Sequence, residues 1–304
     1  MQKIIELGKK IYDINNPREA HRFAVFIARC LINKRRMKRV INFFDGNDVL
    51  RRVAENFPYV YEQPTRAFFY HKSTFDERVR LIEEHMTFLQ SKMKPSTLID
   101  LYSDRTIKLW SMDLDEELGT MSLVIRAEPG QRKEGLTALM LVLPDGEPIY
   151  QIIFWIARDQ SGEWAMWIGA LQGPNMEGAK DIIKKITKKC HAYRTKNLIL
   201  YAAQAFARTL GLERIYAVTN EGYYANNHVR RDRKLKTSLS DFWQEAGGEH
   251  TDDPRFDRLP TVEKRKSVEE IPSHKRATYR RRFKLLDQLD EDVRQNLSAV
   301  MGSD

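Results

Sequence analysis

Cysteine is nearly missing from this sequence: its 304 residues hold two, Cys30 and Cys190. No C-x-x-C pair or Cys/His cluster surrounds either, which excludes a disulfide scaffold and a structural zinc site. His21, His71, His85, His250 and His274 lack ligand spacing, so no metal is assigned. There is no G-x-S-x-G elbow, no P-loop and no His-Glu-x-x-His pair, and the hydrolase and nucleotide-triphosphatase readings fall away with them. Long apolar runs are absent too. The most apolar region, Leu136 to Ala157, is broken by Pro144, Asp145, Glu147 and Pro148, whereas a bilayer span needs about 20 apolar residues. The start MQKIIELGKKIYD carries Glu6 and Asp13 and no secretory apolar core. A cytoplasmic location is expected, with peripheral membrane attachment left open.

What the sequence does have is core-forming residues and positive charge. An apolar share of 42% with 10% aromatic suffices for a sizeable core, and the net charge is +9. That excess favours a polyanionic partner or serves solubility alone. The periodicity indicates an α+β fold: a helical N-terminal region (1–100), a mainly antiparallel sheet core (101–260) and a basic C-terminal helical segment (261–304). Asn16-Pro17-Arg18-Glu19 has the grammar of a helix start, and apolar residues at three- and four-residue steps carry one long helix to about Phe44. Ser73 opens a second helix that Pro95 ends, and Phe57 to Tyr70 reads as an extended segment.

The period then changes. Thr106–Trp110, Gly119–Ala127, Leu136–Leu143, Ile149–Arg158 and Trp164–Leu171 are β-rich runs. Turn residues at 144–147 and 159–162 make the last three antiparallel hairpins in a meander of four or five strands. Helices over 177–191 and 196–210, a strand over 214–219, a polar loop over 220–237 and a short helix from Ser240 to Gly247-Gly248 follow. Ser273 starts the last helix, whose first turns are crowded with Lys275, Arg276, Arg280, Arg281 and Arg282.

Three segments, IGALQGP (168–174), FWQEAGGE (242–249) and IPSHKRATYRRRF (271–283), occur in the order found in the VirK/YbjX family of bacterial proteins, which the chain resembles over most of its length. The resemblance implies a Gram-negative bacterium and a role at the cell envelope, in virulence or in lipid A-related resistance to cationic antimicrobial peptides. A second likeness concerns the fold. A strand ending at Leu171, a Gly-containing loop, a helix, a strand and a short helix ending in Gly-Gly resemble the core of GCN5-related N-acetyltransferase-like (GNAT-like) acyltransferases. That likeness implies an acyl-coenzyme A or acyl carrier protein donor, with Gln172, Gly173, Gly178, Ala179 and Lys180 as its binding loop, because backbone N–H groups at a helix start favour phosphate. A plain turn accounts for the same residues. Trp243 stands where the acyltransferase pattern places a tyrosine general acid.

His191, His228 and Asp241 are the candidate catalytic residues. A histidine near the cleft of such a fold can act as a base near neutral pH, and a surface or capping role is the competing reading. Two basic segments form candidate anion sites. Arg29 to Arg52, with Arg29, Arg35 and Arg36, holds eight basic residues against two acidic ones; Arg258 to Lys284 holds ten against three. If they share a face they can hold the protein at the inner membrane, on anionic or envelope lipid. No nucleic-acid signature accompanies the charge, and a solvated helix surface is the plainer reading. The sequence therefore leaves an enzyme and a non-catalytic peripheral binder both standing.

Overall fold

In the computed structural model, residues 1–226 and 238–302 are described. Four helices come first: α1 (Gln2–Ile11), α2 (Pro17–Ile32), α3 (Lys34–Asp45) and α4 (Asp48–Asn56). Asn16 caps α2 by accepting the Arg18 amide at 3.0 Å. The expected single helix to Phe44 is broken at Asn33 (φ −106°, ψ 34°), and the chain restarts as α3. The stretch after α4 is two buried 3₁₀ turns, 58–61 and 63–65, rather than extended chain.

Thr74, not Ser73, caps α5 (Phe75–Lys92), in a reciprocal box with Glu77. Pro95 opens the short α6 (Pro95–Leu101) instead of simply ending its predecessor. Five strands then run as an antiparallel meander: β1 (Ile107–Asp115), β2 (Gly119–Arg126), β3 (Thr137–Val142), β4 (Pro148–Arg158) and β5 (Trp164–Gln172). Helices α7 (Ala179–Lys189) and α8 (Thr195–Thr209) lead to β6 (Ile215–Val218), which pairs parallel to β5. After α9 (Leu239–Glu245) comes the hairpin β7 (Glu249–His250) and β8 (Phe256–Leu259), and α10 (Arg276–Val300) closes the described fold. Among the described residues the sheet has eight strands, in the order β1-β2-β3-β4-β5-β6-β8-β7.

One continuous apolar core runs from Ile4 in α1 to Leu297 in α10. α8 is buried on nearly every side, with eleven residues inaccessible, because it is wedged between α10 and the sheet, where Phe206 meets Phe154. At the first edge of the sheet α10 lies along β1, and Asn296 Nδ2 donates to the Leu109 carbonyl at 2.9 Å. The polar centre of the core is His85, fully buried. Its Nδ1 accepts the Ile156 amide at 2.9 Å, so Nε2 carries the proton towards Tyr102 and Thr137 hydroxyls at 2.8 and 3.1 Å. No described helix is long and apolar enough to cross a membrane.

Candidate functional site

The site starts from an interruption in the sheet. β5 and β6 pair only through Met166–Ile168 and Ile215–Ala217. Beyond Ile168, β5 continues to Gln172 against β4 alone. Gly169, the first residue past the pairing, lies under the backbone of the loop before β3: a Cβ there would stand 1.8 Å from the Glu134 carbonyl oxygen. Only glycine leaves room for that approach. Two side chains hold the loop. Gln63 Nε2 donates to the Arg132 and Gly135 carbonyls, each at 2.9 Å, and Gln172 Nε2 donates to Gln131 Oε1 at 2.7 Å.

This loop places the buried Glu134 carboxylate against Tyr223, five residues past the end of β6, whose hydroxyl donates to it at 3.1 Å. Burial, and then the charge of Glu134, push the Tyr223 hydroxyl well above its ordinary range, so it stays protonated. A carboxylate that can take a proton and a phenol that can give one thus meet beside the point where β5 and β6 part.

The end of β5 leads into α7. Gly178 precedes that helix in the left-handed conformation (φ +70°), without a side-chain cap. Among the described residues the amides of Ala179 and Lys180 have no hydrogen-bond acceptor, and the space over Gly178 is open to beyond 4 Å. Exposed, unshared N–H groups at a helix start are suited to an anionic group. Gln172, Gly173, Gly178, Ala179 and Lys180 are therefore one continuous segment between the parted strand and this helix start. Pro174, within it, has no N–H to offer, and the exposed Glu177 adds a negative charge.

A separate cavity of about 680 Å³ lies between α5 and the β7–β8 turn. Rings from four segments stack in a column beside it: Tyr70 on Trp155 (6.2 Å), Trp155 on Trp167 (6.3 Å) and Trp167 on Tyr216 (4.4 Å). Cross-strand pairing of Trp155, Trp167 and Tyr216 sets the column. Several of the cavity's charges are already matched. Arg214 pairs with Asp159, and Arg255, over the Tyr70 ring at 4.9 Å, pairs with Asp253 at 2.7 Å. Although burial opposes it, hydrogen bonds from Ser161, Arg214 and Tyr216 hold the Asp159 carboxyl at about 2. At the rim His250 is 78% exposed, and its Nδ1 lies 2.8 Å from Oδ1 of the fully buried Asp257. In the sequence His250 has no metal-ligand spacing to mark it. Its partner, seven residues on, meets it only because 249–259 is a hairpin.

The candidate catalytic residues lie elsewhere. His191 follows α7 with φ +54°, and its carbonyl accepts two bonds from Arg282, at 3.0 and 3.2 Å; burial, then Arg281 and Arg282, lower its pKa. Asp241 is exposed in the first turn of α9, where its amide donates to Ser238, which is the cap in place of Ser240. His228 lies outside the described residues. Neither His191 nor Asp241 lines the cavity. Among the candidate anion sites, Arg36 is held by Asp76 at 2.6 Å, Arg29 is half-buried, Arg276 donates to the Ile271 carbonyl, and Arg282 is tied to the His191 turn. Arg35, Lys275, Arg280 and Arg281 are exposed. Among the described residues no group of three or more His, Cys, Asp or Glu could hold a metal ion, and burial pushes both thiols up to about 12.

A family model described as a protein of unknown function (DUF535) matches residues 15–295. The chain is 38% identical over 163 residues to the Escherichia coli K12 "Uncharacterized protein YbjX", a match over 53% of this chain and 49% of that protein, about half its length. An uncharacterized Haemophilus influenzae protein is 25% identical over 88% of this chain and 87% of its own length. A Mannheimia haemolytica protein named "Membrane protein LapB" is 26% identical over 47% of this chain and 58% of its own.

Proposed function

The chain belongs to the DUF535 family, which is the VirK/YbjX family, and from that premise we propose that it is an acyl-donor-dependent transferase acting on a lipid A-related component of the bacterial envelope. The observation that carries the reading is the parting of β5 from β6 after Ile168, next to a helix start with unshared amides. The order of the sheet supports it. A meander, one parallel strand after two helices, then a short helix and a hairpin is the sequence of elements that resembles the GNAT-like acyltransferases. The envelope as the place of action rests on the family and on a relative named as a membrane protein.

An acyl-coenzyme A or acyl carrier protein donor supplies a thioester whose carbonyl carbon is attacked and whose thiolate leaves. The chain's part is positional and acid–base. Ala179 and Lys180 amides hold the donor's phosphate, Glu134 takes the proton of the attacking hydroxyl or amine, and Tyr223 returns a proton to the leaving sulfur. Tyr223 therefore fills the acid's role that Trp243 cannot. Trp243 is buried and donates its indole N–H to the Val218 carbonyl at 2.8 Å. Neither His191 nor Asp241 is needed in this scheme.

Thermal-shift and calorimetric titration with acetyl- and palmitoyl-coenzyme A and with acyl-loaded carrier protein tests the proposal. Binding is expected to vanish in Gly178→Asp, which puts a carboxylate on the open helix start. Transfer of labelled acyl groups into an isolated envelope fraction is expected to fall at least a hundredfold in Glu134→Gln. A chain that binds none of these donors sinks the reading.

A further inference from the structure

The junction of α2 and α3 carries a surface that the transferase reading does not use. Ile32, the last residue of α2, is 82% exposed, the most exposed large apolar side chain among the described residues, and Leu31 beside it is 42% exposed. The inward stripe of these helices is already complete without them, through Phe26, Cys30, Met37, Val40 and Phe44. Leu31 and Ile32 fall one and two positions past the buried Cys30, about 100° and 200° round the helix from the stripe, and the break at Asn33 ends α2 directly after them, so the two outward residues close the first helix at its corner with α3.

The charges around the corner divide into two sets. Arg36 and Arg39 are spent on α5, paired with Asp76 and Glu83. Lys34, Arg35 and Lys38 are exposed and have no ion-pair partner among the described residues. Two outward apolar side chains and three unmatched cations therefore occupy eight consecutive residues. Each feature alone is ordinary on a protein surface. Together they match one kind of surface, a hydrocarbon layer under a layer of negative charge. A nucleic acid offers the charge but nothing for Ile32 to enter.

We propose that the α2–α3 corner docks the protein on the anionic leaflet of a membrane, Leu31 and Ile32 entering the acyl boundary while Lys34, Arg35 and Lys38 meet the phosphate headgroups. The corner lies on the helical N-terminal region and not on the parted strands, so its role stands independently of the transferase chemistry.

The test is sedimentation of the full chain with vesicles of phosphatidylethanolamine containing about one-third phosphatidylglycerol, and with vesicles of phosphatidylcholine alone. The chain is expected to bind the anionic vesicles and to leave them as salt rises to about 0.5 M. Ile32→Asp is expected to weaken partitioning by more than about tenfold and Lys34→Glu/Arg35→Glu by more than about thirtyfold. Ile32→Phe is expected to bind as well as the parent. These side chains are exposed, so unchanged far-ultraviolet dichroism and melting are expected in each variant. The proposal is overturned if the chain ignores anionic vesicles, or binds both compositions alike. It is overturned equally if Ile32→Asp binds undiminished while Arg280→Glu/Arg281→Glu does not, or if a DNA duplex is bound and the vesicles are not.

Discussion

Replacing Gly169 with alanine tests whether the loop before β3 is locked onto the parted strand. The new Cβ would stand 1.8 Å from the Glu134 carbonyl oxygen and 2.9 Å from the Trp155 ring. Ordinary carbon–oxygen contact is about 3.3 Å, so one backbone must retreat by about 1.5 Å. Overpacking a core costs ~1–3 kcal/mol when side chains can shift. Here the obstacle is main chain, tied by Gln63 and Gln172, and the far side is the fully buried Trp155. The upper end, about 3 kcal/mol, is expected. With a urea dependence of roughly 3 kcal/mol per molar for a chain of this size, the unfolding midpoint should fall by about 1 M at unchanged slope. Gly130→Ala is the control, because its Cβ meets only the end of the Glu128 side chain, at 3.3 Å. A Gly169→Ala midpoint within about 0.2 M of the parent would refute the lock.

Two further substitutions probe the buried polar groups. Burial lowers the His85 pKa to about 3, so between its ordinary value of about 6.5 and 3 the unfolded chain binds a proton that the folded chain does not. Stability is thus lost as pH falls through that window, by up to ~1.4 kcal/mol per pH unit. His85→Gln keeps an acceptor for the Ile156 amide and should flatten the acid limb in urea titrations run from pH 7 to 4; equally steep limbs would refute the assignment. Arg282 fastens α10 to the left-handed pair His191 and Ala192 through their carbonyls, and covers the Tyr279 ring at 4.3 Å. Arg282→Lys should cost about 1–3 kcal/mol in the same assay, because a single ammonium cannot reproduce the planar fork; no loss would mean that the turn holds by itself.

Local chemistry made much of the fold readable. Asn16 caps its helix, and the β-rich runs up to Leu171 became the meander because their turns carry Pro-Asp-Gly and Asp-x-Ser-Gly. The break at Asn33 was not readable, since the apolar stripe continues on both sides through Cys30 and Met37. β7 and β8 escaped because strands of two and four residues carrying Glu249, His250, Asp257 and Arg258 have no alternation to detect. The candidate site divides in the same way. The segment 172–180 is contiguous, so its turn-to-helix grammar could be read directly. Glu134 and Tyr223 are 89 residues apart, and only the sheet brings them together. No local pattern marks Gly169 as the residue that must lack a side chain.

An eight-stranded sheet has two borders at which unsatisfied main-chain groups can recruit another chain. Here both are spoiled. Asn296 from α10 takes the Leu109 carbonyl at one border, under a helix. The other is a two-residue strand, Glu249 and His250, with both side chains exposed. Neither offers a long, flat, apolar row for a second copy to extend, so the borders themselves guard against runaway strand-by-strand polymerisation at high concentration.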